Sequence, residues 1–210
     1  MAHDRLLEVA VREFGQKGLE GASTRGIAAA AGTAMSSITY HFGGKDGLYL
    51  AAADYIAGQM TDLVREGSPL DESVPDDPVA ARAALHAMLE ALLTKMSTER
   101  SEAWSLFIVR EQIRPTEAFD RIYGGPMGRM MRRMADLVAV AAGVTDMKVA
   151  RVTMLTLFGQ VLVTRAAQAA CARVLERDLR DPELIAQFVR RIAANTDAIL
   201  DRLIAERQEK

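Results

Sequence analysis

Residues 24–48 read TRGIAAAAGTAMSSITYHFGGKDGL, and no other stretch restricts the fold of this chain as much. Thr24 can cap a short helix on which Ile27, Ala28 and Ala31 form an apolar face. Gly32 then offers the left-handed backbone that a tight turn needs. A second short helix is expected over residues 34–42, stopped by Gly43-Gly44 before a third opens near Lys45. At about 100° per residue, Ala34, Met35, Ile38 and Phe42 of the second helix project inward. Ser36, Ser37, Thr39 and Tyr40 project outward, with His41 at the flank. A solvated helix usually carries lysine and glutamate on that side. Hydroxyls with one aromatic suit a helix in a DNA major groove, where they meet bases or phosphates. The pattern is a helix-turn-helix.

The spacing Phe14…Gly18…Thr24-Arg25-x-Ile27-Ala28-x-x-Ala31-Gly32…Ile38-x-Tyr40-His41-Phe42-x-x-Lys45-x-x-Leu48 resembles the DNA-binding domain of TetR-type (tetracycline-repressor-like) regulators. Two positions depart from the family pattern. Thr33 stands where valine is frequent, and Gly44 where a polar helix cap is frequent. The resemblance implies an all-α homodimeric regulator. Its three-helix DNA-binding domain would span residues 1–47 and its helical effector-binding and dimerisation domain residues 48–210. It further implies that Arg25 contacts a base or phosphate, that Ser36, Ser37, Thr39 and Tyr40 touch the groove, and that Thr24, His41 and Lys45 anchor phosphates.

Charge adds nothing to that expectation. The net charge is −2, and in residues 1–48 Arg5, Arg12, Lys17, Arg25 and Lys45 are matched by Asp4, Glu8, Glu13, Glu20 and Asp46. DNA binding is therefore expected from helix geometry and resemblance, not from a basic patch. Half the residues are hydrophobic and no run shows β-branched alternation, so a packed helical core is expected. A single Cys171 precludes an intramolecular disulfide and fits a reducing cytoplasm, and the amphipathic start MAHDRLLEVAVREF is no export segment. The most apolar run, residues 152–163, contains Gln160 and is flanked by Arg151 and Arg165. It is short of the roughly 20 residues of a membrane span and reads as a buried helix.

Along the chain, residues 4–17 form an amphipathic helix closed by Gly18, and a long helix runs from Asp46. Residues 67–77, GSPLDESVPDD, form the clearest break. Pro78 opens a helix to Met96, and another runs from Glu99 to Ile113. On the latter, Glu111 follows Phe107 at i+4, so its carboxylate must be paired, protonated or reachable by solvent. Arg110-Glu111-Gln112…Pro115-Thr116 also resembles the C-terminal domain of the CecR subgroup of TetR-type regulators, loosely over residues 98–165. That resemblance implies an effector-binding dimerisation domain, for which the residues suggest a pocket for a largely apolar small-molecule effector. Its candidate lining is Trp104, Phe107, Glu111, Met130, Met134 and Phe158, and Glu111→Ala is expected to alter effector response with operator affinity nearly unchanged.

Thr116 caps a short helix that Gly124-Gly125-Pro126 breaks, and residues 127–142 follow with Met127, Met130, Met131 and Met134 on one stripe and Arg129, Arg132, Arg133 and Asp136 opposite. The methionines fit either an ordinary core or an adaptable cavity. Thr145 can cap a helix reaching toward Ala172, and Asp181-Pro182 opens the last. Both are wide in their apolar faces. Paired with a twofold mate they would form a four-helix interface, which Gly159, Ala166, Ala167, Ala169 and Ala170 would let close tightly.

No phosphate loop, CxxC pair, HExxH or GxSxG occurs, and neither a metal nor another cofactor is expected. Ser37 and His41 share the reading helix with no oxyanion site, which argues against catalysis. The reading is a ligand-responsive repressor on an inverted-repeat operator. The alternative is a constitutive DNA-binding repressor whose C-terminal half only dimerises.

Overall fold

The computed structural model describes residues 2–65 and 73–209. Every regular element in those residues is helical, so the all-α expectation holds. They divide into two compact units. One comprises Met1–Asp62 with Glu99–Gly128, and the other Leu63–Thr98 with Arg129–Lys210. Of the break expected over residues 67–77, residues 67–72 lie outside the described residues.

The first unit contains α1 (Ala2–Gly21), α2 (Thr24–Ala31), α3 (Met35–Phe42), most of α4 (Lys45–Arg65), α6 (Glu99–Ile113) and α7 (Glu117–Ile122). Leu6, Leu7, Ala10, Val11 and Phe14 bury the expected stripe of α1. Gly18 departs from helical geometry at φ 73°, ψ 175°, so the regular helix does stop there. The Arg110 guanidinium of α6 donates to the freed carbonyls of Gly15 (3.4 Å) and Gln16 (3.2 Å). A Cβ on Gly18 would sit 3.0 Å from Arg110 Nη1, so space and φ both favour glycine.

Ser23, not Thr24, caps α2. Its hydroxyl accepts from Gly26 N at 3.3 Å, and Thr24 becomes the first helical residue. Gly32 ends the helix at φ 70°, where its N–H and that of Thr33 reach back to Ala28 O. Gly43 closes α3 with the same handedness. Phe14, Ile27, Ile38, Leu48, Ile56, Phe107 and Ile122 are fully buried in this unit.

The second unit holds α5 (Pro78–Met96), α8 (Gly128–Ala142), α9 (Met147–Ala166), α10 (Gln168–Leu175) and α11 (Pro182–Gln208), α8 beginning at its boundary. Asp77 and Asp181 cap α5 and α11, each ahead of a proline at the helix start. Leu85, Met88, Leu89, Met130, Met134, Leu137, Val138, Met154, Leu157, Val161, Ile192 and Leu200 fill one core. Arg82 of α5 bridges Asp197 (3.2 Å) and Asp201 (2.6 Å) of α11, and His86 Nε2 lies 3.0 Å from Asp197. Asn195 donates to Gln160 at 2.7 Å and fastens α11 to α9.

Four expectations change here. Asp146, not Thr145, caps α9 by accepting from Lys148 N. The helix stops at Ala166, because Ala167 leaves helical geometry (φ −116°, ψ 32°) before α10 begins. Arg133, expected outside, is buried. Lastly, α9 is buried on one side only. Met154, Leu157, Phe158 and Val161 turn inward, whereas Val152 is 56% exposed, Leu155 53% and Val163 44%. By length and composition alone the full Met147–Ala166 helix could cross a membrane, which the shorter run 152–163 did not suggest.

Candidate nucleic-acid interface

The surface expected to meet DNA is built on one buried side chain. Ile38 is 1% exposed and anchors α3, which leaves the opposite arc of the helix uncovered. Ser36, Thr39 and Tyr40 are exposed there, Tyr40 at 85%, while His41 is exposed on the flank and Ser37 is half-buried at the margin. Met35 is exposed as well, against its expected inward orientation. Met35 lies about 60° around the helix from Ile38 and about 40° from Thr39, so it falls at the border between the buried side and the hydroxyl arc. Phe42 is half-buried under His3, with ring centroids 5.3 Å apart.

Around that helix, Arg25 is exposed and no described carboxylate pairs with it, while Thr24 is half-buried. Lys45 Nζ donates to Glu20 O at 3.0 Å, which fixes the ammonium near the start of α4 with two protons still free. Outward on α2 stand Arg25, Gly26, Ala29 and Ala30, a face of mostly small residues that lets another surface approach closely. Lys17 is paired with Glu13 at 2.6 Å.

Gly47 sets the angle between α3 and α4, a role the sequence reading missed. A Cβ there would overlap the Phe42 carbonyl, which is backbone and cannot swing aside. Gly47→Ala should cost about 1–3 kcal/mol and shift the outward arc of α3. A thermal melt paired with a DNA-binding titration checks this, and an alanine variant with both properties intact would refute it.

The same unit holds a buried polar cluster. Glu111 is 1% exposed, and both carboxylate oxygens are engaged. Oε1 accepts from the Tyr49 hydroxyl at 2.6 Å. Oε2 accepts from Thr116 N (2.9 Å), Thr116 Oγ1 (2.9 Å) and Phe119 N (3.1 Å). Of the three options at sequence level, the carboxylate is thus paired, with neutral donors only. Burial first, and then the bond to Glu111, push the Tyr49 phenol well above its ordinary value of 10.0, so it remains a donor. Tyr49 also lies against Phe107 with the rings tilted at 30° and centroids 4.6 Å apart, and makes a T-shaped contact with Phe14 at 4.9 Å.

The six effector candidates fall into two sets. Trp104, Phe107 and Glu111 belong to the first unit; Met130, Met134 and Phe158 belong to the second, inside its core with Met88 and Met154. None of the six lines the open cleft of about 500 Å³ bounded by Leu175, Leu184, Phe188 and Arg191.

Residues 6–52 match the family model described as bacterial regulatory proteins, tetR family, and residues 81–201 match the C-terminal domain of the HTH-type transcriptional dual regulator CecR. The chain is similar to CecR of Shigella flexneri, with 31% identity over 170 residues that cover 78% of this chain and 75% of that protein. It is also similar to the HTH-type transcriptional regulatory protein RaaS of Mycobacterium tuberculosis, 41% identical over 59 residues, 28% of this chain and 27% of that one. Among solved structures, a putative transcriptional regulator from Pseudomonas aeruginosa PAO1 superposes with a TM-score of 0.67 at 22% identity, covering 94% of this chain and 89% of that one. The transcriptional regulator FadR from Bacillus subtilis, in complex with stearoyl-CoA, superposes at 0.59 with 14% identity over 96% and 97% of the two chains. These two likenesses concern the fold alone.

Proposed function

The chain belongs to the TetR family of bacterial regulatory proteins, in its CecR-like branch, and from that premise we propose that it is a ligand-responsive repressor. It is a DNA-binding transcriptional regulator and not an enzyme. In the proposed cycle a homodimer holds a palindromic operator and releases it when a small molecule binds the C-terminal domain. Residues 1–47 read DNA, and residues 48–210 bind the effector and dimerise.

The observation that carries this reading is the uncovered arc of α3, with Ser36, Thr39 and Tyr40 outward on a helix pinned by Ile38. Those three and Ser37 touch the groove. Thr24, His41 and Lys45 hold phosphates, and Arg25 reaches a base or phosphate. Dimerisation would set two copies of α3 about 34–36 Å apart, in successive major grooves. Effector binding favours a conformation in which that separation no longer fits, with a reciprocal coupling of about 1–3 kcal/mol.

For the effector, Met130, Met134 and Phe158 sit in a core rich in deformable thioethers, which suits apolar ligands of varied shape. That the fold neighbour FadR was crystallised with stearoyl-CoA agrees with a large, partly apolar ligand. Trp104 and Phe107 are proposed contacts as well. Glu111 we reassign to holding α4, α6 and α7 together, since no oxygen of its carboxylate is free of a protein donor.

Selection of bound sequences from random DNA tests the proposal. An inverted repeat with half-sites one helical turn apart is the expected result, and enrichment of no sequence would defeat it. A constitutive repressor is separated by thermal-shift screening, because only a protein with a pocket gains melting temperature from a compound.

A further inference from the structure

We propose that Met35 is a specificity-determining residue that reads the C5-methyl group of a thymine in the operator. The inference rests on the reading that α3 lies in the major groove, and it assigns that helix a base preference its hydroxyls cannot supply.

Met35 is the first residue of α3 and is 52% exposed. The other described methionines are buried or half-buried. Burial within the chain therefore does not explain why an apolar side chain stands here. Nor does helix capping, since the preceding Ala34 makes no side-chain cap bond and Met35 has only a thioether to offer. Around the helix axis Thr39, Ser36 and Tyr40 form the outward arc opposite Ile38, and Met35 borders that arc, about 40° from Thr39, at the first turn of the helix. The N-terminal residues of a recognition helix are those that reach base edges.

Chemistry then narrows the partner. A thioether is at best a weak acceptor and donates nothing, so phosphate oxygens and the N7, O6 and O4 acceptors gain nothing from it. One apolar feature exists on the major-groove edge of a base pair, the thymine methyl. An unbranched side chain with a polarizable sulfur can lie against that methyl at little conformational cost, and both groups leave water on contact. Neighbouring Ser36 and Thr39 discriminate poorly by themselves, because a hydroxyl can both donate and accept. Met35 would fix the register that they leave loose.

The test uses the full-length protein and an operator obtained by selection. Each thymine is replaced in turn by deoxyuridine, which removes the methyl group and retains pairing, and binding is measured by fluorescence anisotropy at one salt concentration. Wild type should lose about 3- to 10-fold in affinity at one position of each half-site, the scale of one methyl group removed from contact. Met35→Ala should lose that penalty at that position while binding the deoxyuridine operator as wild type does. Met35→Leu, which retains an apolar side chain of similar length, should restore part of it. A penalty of full size in Met35→Ala overturns the proposal, and so does equal weakening at every position, which would mark a backbone contact. If no thymine shows a penalty in wild type, Met35 reads no methyl. If selection yields no operator at all, the groove reading fails first and this inference falls with it.

Discussion

Glu111→Ala is expected to destabilise the N-terminal unit by about 3–5 kcal/mol, because several buried donors lose their common acceptor at once. Four donors converge on the Glu111 carboxylate: the Tyr49 hydroxyl, the Thr116 amide and hydroxyl, and the Phe119 amide. Each bond to a charged acceptor contributes about 1.5–3 kcal/mol net, and a buried donor left unpaired costs about 1–3 kcal/mol. Simple addition overshoots, since water can enter the vacated space and the hydroxyls can turn away. Two conservative variants resolve the parts. Glu111→Gln retains one carbonyl acceptor, and the Tyr49 hydroxyl can rotate to accept from the new amide, so about 1–2 kcal/mol is expected. Tyr49→Phe leaves Oε1 with no partner and should cost about 1–3 kcal/mol.

Trp104 is the sole tryptophan and lies in the same unit, so its fluorescence in a urea titration reports this unfolding directly. Loss of less than 1 kcal/mol in Glu111→Ala, on the scale of an ordinary surface change, would show that the carboxylate is no structural keystone. It would also revive the sequence-level expectation of an effector contact with unchanged operator affinity. Tyr49 follows Leu48 in the first turns of α4, close in sequence to the reading helix. Operator binding should therefore fall along with stability, the opposite of what that expectation held.

How far the sequence revealed this molecule varies with the range of the interaction involved. The turn at Gly32 and the stop at Gly43 were legible because a left-handed residue leaves a local signature. So were the starts at Pro78 and Pro182, where ring closure fixes φ. The caps slipped by one position, to Ser23 from Thr24 and to Asp146 from Thr145, because neighbouring residues can both cap. Which one does so depends on which backbone is extended. The stop at Ala166 carries neither glycine nor proline and left no trace. Arg133 and Met35 failed for a shared reason: by angle each lies at the border of its helix's apolar side, and the neighbouring helices decide whether a border position is covered. Glu111 was flagged by its spacing from Phe107, yet one partner lies 62 residues away and none could be named from the chain.

In the proposed homodimer, Gly159→Arg should separate the protomers and lower operator affinity by about 10²- to 10⁴-fold, the avidity lost when two linked half-sites become one. The case for this site begins with what a side chain would meet there. An added Cβ at Gly159 finds no atom within 4 Å, so the protomer has room for arginine. Replacing glycine in an exposed helix interior also gains up to about 1 kcal/mol of helix stability. Misfolding of the subunit is thus not the expected outcome, and circular dichroism should show an unchanged helix content.

What arginine would spoil is the surface that Gly159 shares with Val152, Leu155 and Val163, all exposed on one side of α9. Across a twofold axis the same patch meets itself, so every substitution is felt twice. Two guanidinium groups would then face each other within an apolar contact, unpaired and stripped of water, while the small residue that permitted close helix approach is gone. Light scattering after size-exclusion chromatography reads the mass, and anisotropy on a full operator and on a single half-site reads the avidity. The variant should bind the two DNAs alike, whereas wild type should strongly prefer the full operator. A variant that elutes as a dimer would refute α9 as the dimer face, and a wild type that elutes as a monomer would refute the proposed homodimer.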